Sequence, residues 1–226
     1  MTYPQVLPAR FLSRPNRFVA QVEMDGRTET VHVKNTGRCR ELLIPGRTVY
    51  LTPGDNPKRK TPYDLIAVDK DGLLVNMDAQ APNQVFAEWA RAGHFVPGLT
   101  LLRPETTWGN SRFDFYWEAG PRRGFVEVKG CTLEEDGHCR FPDAPTVRGV
   151  RHLQELEASL QEGYEAAVCF LIQMAGMKDF APNDATHPEF GAALRQAARA
   201  GVQVLAQECT VTPDTLTMGE PVAVKL

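Results

Sequence analysis

The hydrophobic periodicity of the chain changes near residue 80, and this change restricts the possible folds more than any other feature. Before it, short runs alternate apolar and polar residues with the period of two that strands require. After Ala81-Pro82-Asn83, apolar residues recur at helical spacing until Gly93. Pro82 is typical of the first turn of a helix and Gly93 of its end. The sequence therefore predicts two domains, residues 1–80 and residues 81–226.

The first domain is predicted to be a small β-barrel. Asp25-Gly26 and Asp71-Gly72 are hairpin turns between strand-like runs, and Pro45-Gly46 precedes a further run. About five short strands in roughly 70 residues are typical of a barrel of the OB kind. Another small β-meander would show the same pattern, so the sequence leaves that alternative open.

The second domain is predicted to be an α/β domain with a mixed sheet. Helices and strands alternate after residue 81, and an antiparallel pair of strands comes early in the series. The predicted elements are a helix from Pro82, strands over 111–117 and 124–129, a helix from Val147 to about Glu162, a strand over 166–173, a helix over 190–200 and a strand over 202–207.

One predicted strand carries two charged residues on the same face. In Phe125-Val126-Glu127-Val128-Lys129, strand alternation places Glu127 and Lys129 together, opposite the two valines. A buried strand face tolerates such charges only if they face a site or each other. The preceding strand contains Asp114, which a hairpin would bring beside Glu127. An Asp, Glu and Lys set of this kind indicates a PD-(D/E)xK nuclease site, although a bare match to the pattern is common on solvated strands.

These residue types suit metal-dependent phosphodiester hydrolysis. Asp114 and Glu127 would hold Mg²⁺ or Mn²⁺, hard cations that prefer oxygen ligands. The cation would activate a water molecule and neutralise transition-state charge. Lys129 would orient that water, and Glu88 on the preceding helix would complete or support the metal shell. Arg148 and His152, one turn apart on a predicted helix, would contact phosphate, or would simply lie on a solvated helix face.

Charge and cysteine usage limit the other function classes. The net charge is −3, with +3 in residues 1–80 and −6 in residues 81–226, which suits a phosphate-binding module beside a carboxylate-rich one. The five cysteines have no CxxC spacing, so reduced thiols are expected, and a soft metal site at Cys131, His138 and Cys139 is disfavoured. No signal peptide or membrane-length apolar run is recognisable, so we expect a cytoplasmic protein without membrane contact.

The motifs together resemble the bacterial and archaeal sugar fermentation stimulation protein A (SfsA) family, in collinear order over nearly the full length. The segments that carry the resemblance are RFLSRPNRFVAQV, KNTGRCRELLIPG, DNPKRKTPYDL, APNQVFAEWARAG, SRFDF, GFVEVKGCTL and FPDAPTVRGVRHLQEL. The resemblance implies an OB-like domain followed by a PD-(D/E)xK-like domain, sequence-non-specific DNA binding and a regulatory link to sugar (maltose) metabolism.

Carried over by motif, the resemblance assigns residues to two sites. The nuclease-like set is Glu88, Asp114, Glu127 and Lys129. Basic clusters at predicted loops of the first domain supply the nucleic-acid contacts, which are Arg14, Arg17, Asn35, Arg38, Lys58, Arg59 and Lys60. The chain departs from the family pattern after Lys129, where Gly130 is expected to loosen the backbone.

Three functions remain open on the sequence alone. The first is a metal-dependent nuclease that acts on DNA, with RNA as a further possible substrate. The second is a non-catalytic DNA-binding regulator of sugar metabolism that keeps the nuclease fold. The third is a sugar-metabolism effector without a nucleic-acid role, which the two acids and the lysine disfavour. The sequence gives no information on the oligomeric state.

Overall fold

The computed structural model describes residues 1–35, 37–54 and 59–226. The first third of the chain forms a closed barrel. The strands described there are β1 (Leu7–Asn16), β2 (Val19–Met24), β3 (Arg27–Val33), β4 (Thr48–Pro53), β5 (Tyr63–Lys70) and β6 (Leu73–Asn76). Their order is β3-β2-β1-β4-β5-β6, and a parallel pairing of β3 with β5 closes a barrel of five strands. The predicted OB-type barrel is confirmed.

The two predicted hairpins are present, because their turn residues allow the required backbone. Asp25 and Gly26 have φ of 50° and 73°, and Asp71 and Gly72 have φ of 56° and 91°. Positive φ at both central positions is the signature of tight turns whose twist matches that of the flanking strands. These turns connect β2 to β3 and β5 to β6.

One predicted loop position was wrong. The sequence placed Arg14 in a loop of the first domain, whereas Arg14 lies inside β1. Proline cannot donate to a strand ladder, so Pro8 and Pro15 concealed the strand. The pairing of β1 with β2 accommodates Pro15 by a shift in register between Ser13 and Asn16.

The second domain has a mixed sheet, as predicted, and this sheet has six strands. Its sheet order is β15-β14-β12-β9-β8-β7, with β12 parallel to β9 and β14 and the other pairs antiparallel. A small sheet that the sequence did not predict has the order β10-β11-β13-β16. The elements are α1 (Ala81–Arg91), β7 (Leu101–Trp108), β8 (Ser111–Ala119), β9 (Arg122–Cys131), β10 (Leu133–Glu135), β11 (His138–Phe141), α2 (Val147–Leu160), β12 (Glu165–Ile172), β13 (Asp179–Pro182), α3 (Pro188–Ala200), β14 (Gln203–Val211), β15 (Leu216–Pro221) and β16 (Ala223–Val224).

Helices cover both faces of the large sheet. Helix α1 packs on one face, where Phe86 joins Phe115 and Val126 in a buried cluster. Helices α2 and α3 pack on the other face, where Leu153 and Phe190 belong to a cluster that continues into the barrel. The sheet is therefore the middle of three layers, and β9 lies inside it with helices on both sides.

The two domains meet at a buried polar seam. Gln173 Nε2 donates to Asn76 Oδ1 at 2.8 Å and to the Asp78 carbonyl at 3.1 Å. The first residues of the chain also lie against the second domain, because Thr2 pairs with Thr215.

Within the described ranges, none of the helices is long and apolar enough to cross a lipid bilayer.

Candidate functional site

Glu127 is buried at the centre of the site. Its side chain is 4% exposed, and its Oε1 accepts hydrogen bonds from Lys129 Nζ and His152 Nδ1. Its Oε2 is also buried and has no hydrogen-bond partner within the described part of the chain. A buried carboxylate oxygen without a partner is costly in a folded protein. The Glu127 carboxylate is thus held by the two hydrogen bonds to Oε1, while Oε2 is available to a ligand.

His152 lies inside the site rather than on the helix surface. The alternative of a solvated helix face is wrong for His152, because the ring is 2% exposed and bonds to Glu127. Its Nε2 accepts from Arg148 Nε at 3.2 Å, so a neutral ring with its proton on Nδ1 satisfies both contacts. Arg148 itself is exposed and keeps the position expected of a phosphate contact.

Asp114 is positioned by two donors from different elements. Its Oδ2 accepts the Val128 N–H of β9 at 2.8 Å, and its Oδ1 accepts Asn83 Nδ2 of α1 at 2.9 Å. The β8–β9 ladder reaches Phe115 opposite Val126 and goes no further toward Asp114. The carboxylate of Asp114 therefore accepts the hydrogen bond of the Val128 N–H at the point where the two strands separate.

The surroundings of the two carboxyl groups shift their pKa values in opposite directions. Burial and the charge of Glu127 raise the pKa of Asp114, against the opposing charge of Lys129. Burial also acts to raise the pKa of Glu127, but hydrogen bonds from His152 and Lys129 outweigh it and leave that pKa below its ordinary value. Opposite shifts in neighbouring carboxyls are typical of sites that handle protons or cations.

Glu88 does not join this site, which corrects the sequence-based assignment. Its Oε2 accepts the Met1 ammonium at 2.6 Å, its Oε1 accepts Gln84 Nε2 at 3.0 Å, and its side chain is 48% exposed. The reason is helix geometry: Asn83 points to Asp114, and a residue five positions later lies on a different face of α1. The helix contributes Asn83 instead, for which the sequence offered no distinctive signal.

Gly130 is tightly packed, contrary to the expectation that it loosens the backbone. A Cβ at this position would lie 2.5 Å from Gln173 Oε1 and 2.8 Å from Pro82 Cγ. The close approach brings the start of α1 and the domain seam against the strand that carries Glu127 and Lys129. The glycine thus fixes the surroundings of the site.

The donor set fits a hard divalent cation with few protein ligands. Asp114 and Glu127 supply carboxylate oxygens, and Glu127 Oε2 has no protein partner in the described ranges. No group of three or more His, Cys, Asp or Glu side chains arranged for a metal occurs in those ranges. Mg²⁺ commonly binds through one or two carboxylates and retains several waters, so two such ligands suffice.

In the barrel, two predicted nucleic-acid contacts serve a structural role. The Arg14 guanidinium donates to the main-chain carbonyls of Arg17, Asn35, Gly37 and Arg38 at 2.6–2.9 Å. The Asn35 amide donates to the Met77 carbonyl at 3.1 Å, and its Oδ1 accepts the Gly37 N–H at 2.8 Å. Both side chains hold the loop after β3, so neither is free to bind a phosphate.

The loop after β3 and the turn between β1 and β2 present other cations to solvent. Arg17 and Arg38 are exposed, and they line an open cavity of about 370 Å³ together with Arg40. No acidic residue lines this cavity among the residues that the structure describes. Arg17 also lies over the ring of Phe18, with its guanidinium carbon 4.7 Å from the ring centre. Arg40 was missed in the sequence, although it stands two residues after Arg38.

The third basic cluster is only partly described. Lys58 lies outside the described residues, and Lys60 is exposed. Arg59 donates to Asp64 Oδ1 at 2.5 Å, and Asp64 is almost completely buried. This ion pair gives Arg59 a structural role in the barrel, whereas Lys60 remains available to a ligand.

The cysteines form no disulfide among the described residues. All five are free and buried. Burial raises the pKa of the Cys39 and Cys209 thiols to about 12. Such thiols are inert at neutral pH.

Comparison with known proteins decides the family. The family model described as "Sugar fermentation stimulation protein RE domain" matches residues 80–215, and the "SfsA N-terminal OB domain" matches residues 12–77. The chain belongs to the SfsA family. Sugar fermentation stimulation protein homologs from Desulfitobacterium hafniense (strain Y51) and Ruminiclostridium cellulolyticum are 57% and 51% identical over 226 residues. The alignments cover 100% of this chain, 99% of the Desulfitobacterium protein and 100% of the Ruminiclostridium protein.

A solved SfsA structure has the same fold. It is the structure of Pyrococcus furiosus SfsA in complex with Ca²⁺, with a TM-score of 0.91 and 29% sequence identity. The similarity covers 100% of this chain and 98% of the archaeal chain. This chain and the archaeal SfsA thus share the same fold over their full length.

Proposed function

We propose that this SfsA-family chain is a DNA-binding protein with a Mg²⁺- or Mn²⁺-dependent phosphodiester-hydrolysing site. The observation that carries the proposal is the buried Glu127 carboxylate, anchored at Oε1 by His152 and Lys129 while Oε2 lacks a partner. A protein that only grips the phosphate backbone gains nothing from a buried acidic pair, because carboxylates repel phosphate.

Each residue of the site has a role in this proposal. Asp114 and Glu127 would hold the cation, which supplies a bound water of lowered pKa and neutralises charge on the phosphate. The Lys129 ammonium, beside Glu127, would orient the attacking water or stabilise the developing negative charge. Asn83 and His152 hold the two carboxylates in place and do not themselves touch the substrate.

The archaeal relative supports the proposal that the bound metal is a hard cation. Its structure is a complex with Ca²⁺. Ca²⁺ and Mg²⁺ both take oxygen ligands, whereas soft metals select thiolates. The carboxylates of Asp114 and Glu127 are ligands of the same class.

The exposed arginines of the barrel support nucleic-acid binding. Arg17, Arg38 and Arg40 line one open cavity, and OB barrels bind oligonucleotides with such surfaces. DNA is the substrate that we propose, and RNA is a second arm of the test.

The test uses the full chain with end-labelled DNA and RNA, single- and double-stranded, in Mg²⁺, Mn²⁺ or EDTA. We expect metal-dependent cleavage that Glu127→Gln and Lys129→Ala each reduce by about 10²-fold or more. Glu135→Gln in β10 and Lys178→Ala just before β13 change the same residue types at exposed positions and serve as matched controls. Cleavage that persists in Glu127→Gln would contradict the proposal.

Binding without cleavage would favour the second candidate, a non-catalytic DNA-binding regulator of sugar metabolism. The observation on its side is that the described side chains offer no third His, Cys, Asp or Glu ligand for a metal. In that case affinity should fall steeply with salt and should not change in Glu127→Gln.

A further inference from the structure

We infer that Arg148 binds a backbone phosphate of the substrate beside the acidic pair, Asp114 and Glu127, and that His152 positions it there. One imidazole ring contacts both Arg148 and Glu127, so the phosphate-binding group and the carboxylate proposed to hold the metal share one support. This inference rests on the proposed function, which it deepens by assigning the phosphate-binding residue of the site.

His152 is held at both of its ring nitrogens. Its Nδ1 donates to Glu127 Oε1, and its Nε2 accepts from Arg148 Nε at 3.2 Å. The ring is 2% exposed and packs edge-on against Phe113, with the ring centroids 6.1 Å apart. A buried ring with these three contacts cannot rotate freely. It therefore fixes the Arg148 guanidinium relative to the Glu127 carboxylate.

Arg148 uses only one of its donors for this contact. Its Nε faces His152, and within the described ranges neither Nη1 nor Nη2 forms a hydrogen bond. The side chain is exposed. A guanidinium anchored through Nε presents its two Nη groups as a planar fork, which matches two oxygens of a phosphate. Arg148 thus has a defined direction, which an arginine surrounded by water lacks.

The place of Arg148 in its helix also favours an anion. Arg148 lies in the first turn of α2, which contains no acidic residue. The helix dipole puts partial positive charge at this end, so a cation there is unfavourable by itself and an anion is favourable. A bound phosphate would interact favourably with both the dipole and the guanidinium.

The acidic pair needs a cation of this kind if a phosphodiester is to bind. Two carboxylates repel a phosphate, and the Lys129 ammonium already donates to Glu127 Oε1. The partner of Arg148 is a neutral ring, so its charge is not cancelled by an acid. A phosphate contact carries no base information, so this residue would bind any sequence.

The experiment measures the affinity for labelled oligonucleotides by fluorescence anisotropy in Ca²⁺, the ion of the archaeal complex. Incubation is kept short enough for the strand to remain intact on a gel. Arg148→Ala should weaken binding about tenfold and lower the salt slope by about 0.7 on a single strand or 0.9 on a duplex, the values for one phosphate contact. Arg151→Ala removes an exposed arginine three residues later on the same helix and should leave affinity unchanged.

Arg148→Lys separates a positioned fork from simple charge. Lysine keeps the charge, but its ammonium cannot contact His152 through one edge and a phosphate through the other. We expect this variant to lose most of the affinity that Arg148→Ala loses, whereas Arg151→Lys should bind as wild type does. Because Arg148 is exposed, neither change at this position disturbs the core. Wild-type affinity in Arg148→Lys would overturn the inference.

His152→Asn tests whether the ring positions Arg148. The asparagine amide can replace the Nδ1 donor to Glu127, but it has no group at the place of Nε2 to hold Arg148. His152→Asn should weaken oligonucleotide binding, and Arg148→Ala should cost less in this background than in wild type. Ca²⁺ affinity without oligonucleotide, measured by calorimetry, should stay close to wild type in both single variants and fall in Glu127→Gln. Losses at residues 148 and 152 that simply add would contradict the positioning role.

Failure of this inference is separable from failure of the proposed function. Non-additive losses of binding in Ca²⁺ without any cleavage in Mg²⁺ or Mn²⁺ remove the nuclease and leave the phosphate site. Cleavage that depends on Glu127 but not on Arg148 removes the phosphate site and leaves the nuclease.

Discussion

Replacing His152 by alanine should destabilise the protein by about 3 kcal/mol at neutral pH. The variant removes a hydrogen bond to the buried Glu127 carboxylate, and such bonds to charged groups contribute about 1.5–3 kcal/mol. It also removes a buried ring that packs edge-on against Phe113, which adds roughly 1–2 kcal/mol. The higher helix propensity of alanine returns only about 0.5 kcal/mol.

The loss should depend on pH, with a sign that follows from the Glu127 pKa. His152 and Lys129 hold that pKa below its ordinary value of 4.5 against the effect of burial. A carboxyl with a depressed folded-state pKa stabilises the fold above its unfolded pKa, and this contribution is lost as pH falls through the folded value. The difference between wild type and His152→Ala should therefore be largest near pH 7 and shrink in acid.

The assay is urea denaturation near pH 7 and again at the lowest pH at which both proteins fold. With a urea dependence of roughly 3 kcal/mol per M, the expected midpoint shift near pH 7 is about 1 M. Ser159→Ala is the matched control, because Ser159 is buried on the same helix and its hydroxyl donates to the Leu156 carbonyl. It should cost about 1 kcal/mol at both pH values. An equal loss for His152→Ala at both pH values would refute the coupling to Glu127.

Three further predictions follow from packing and exposure. Gly130→Ala should lower the free energy of unfolding, measured in urea, by about 1–3 kcal/mol, because its Cβ would meet Gln173 Oε1 at 2.5 Å. Gly219→Ala is the control and should lower it less, because the nearest atom to its Cβ would be 3.3 Å away. Glu88→Ala should keep metal-dependent cleavage within about twofold of wild type. It should change the free energy of unfolding by less than about 1 kcal/mol, since the Glu88 ion pair is exposed. A large loss of cleavage would show that Glu88 belongs to the site after all. The five buried thiols should react with a disulfide reagent only after denaturation, and rapid reaction of the native chain would contradict their burial.

The acidic pair and its lysine could be predicted because their geometry is local. Strand alternation alone puts Glu127 and Lys129 on one face, and a short hairpin brings Asp114 near them. The same holds for the two Asp-Gly hairpins and for helix α1, where turn chemistry and periodicity agree. His152 was within reach as well, because it shares the buried stripe of α2 with Gly149 and Leu156.

Features that depend on distant contacts could not be predicted. Arg14 was interpreted as a phosphate contact because a cation near a turn is typical of one, and only the fold shows its four main-chain carbonyls. Strand β7 was missed because it lies at the edge of the sheet, contains Pro104 and buries little of its surface. Asn83 acquires its role only through packing of α1 beside β8.

The pairing of Thr2 with Thr215 means that the chain leaves the second domain to build the barrel and then returns to it after Asn76. The barrel is thus attached by the covalent connection after Asn76 and also by the backbone hydrogen bonds of residues 1–3 with the second domain. A domain joined by a single linker can rotate relative to its neighbour, whereas attachment at two points resists rotation. The orientation of the two domains is accordingly set by backbone contacts, before any ligand arrives.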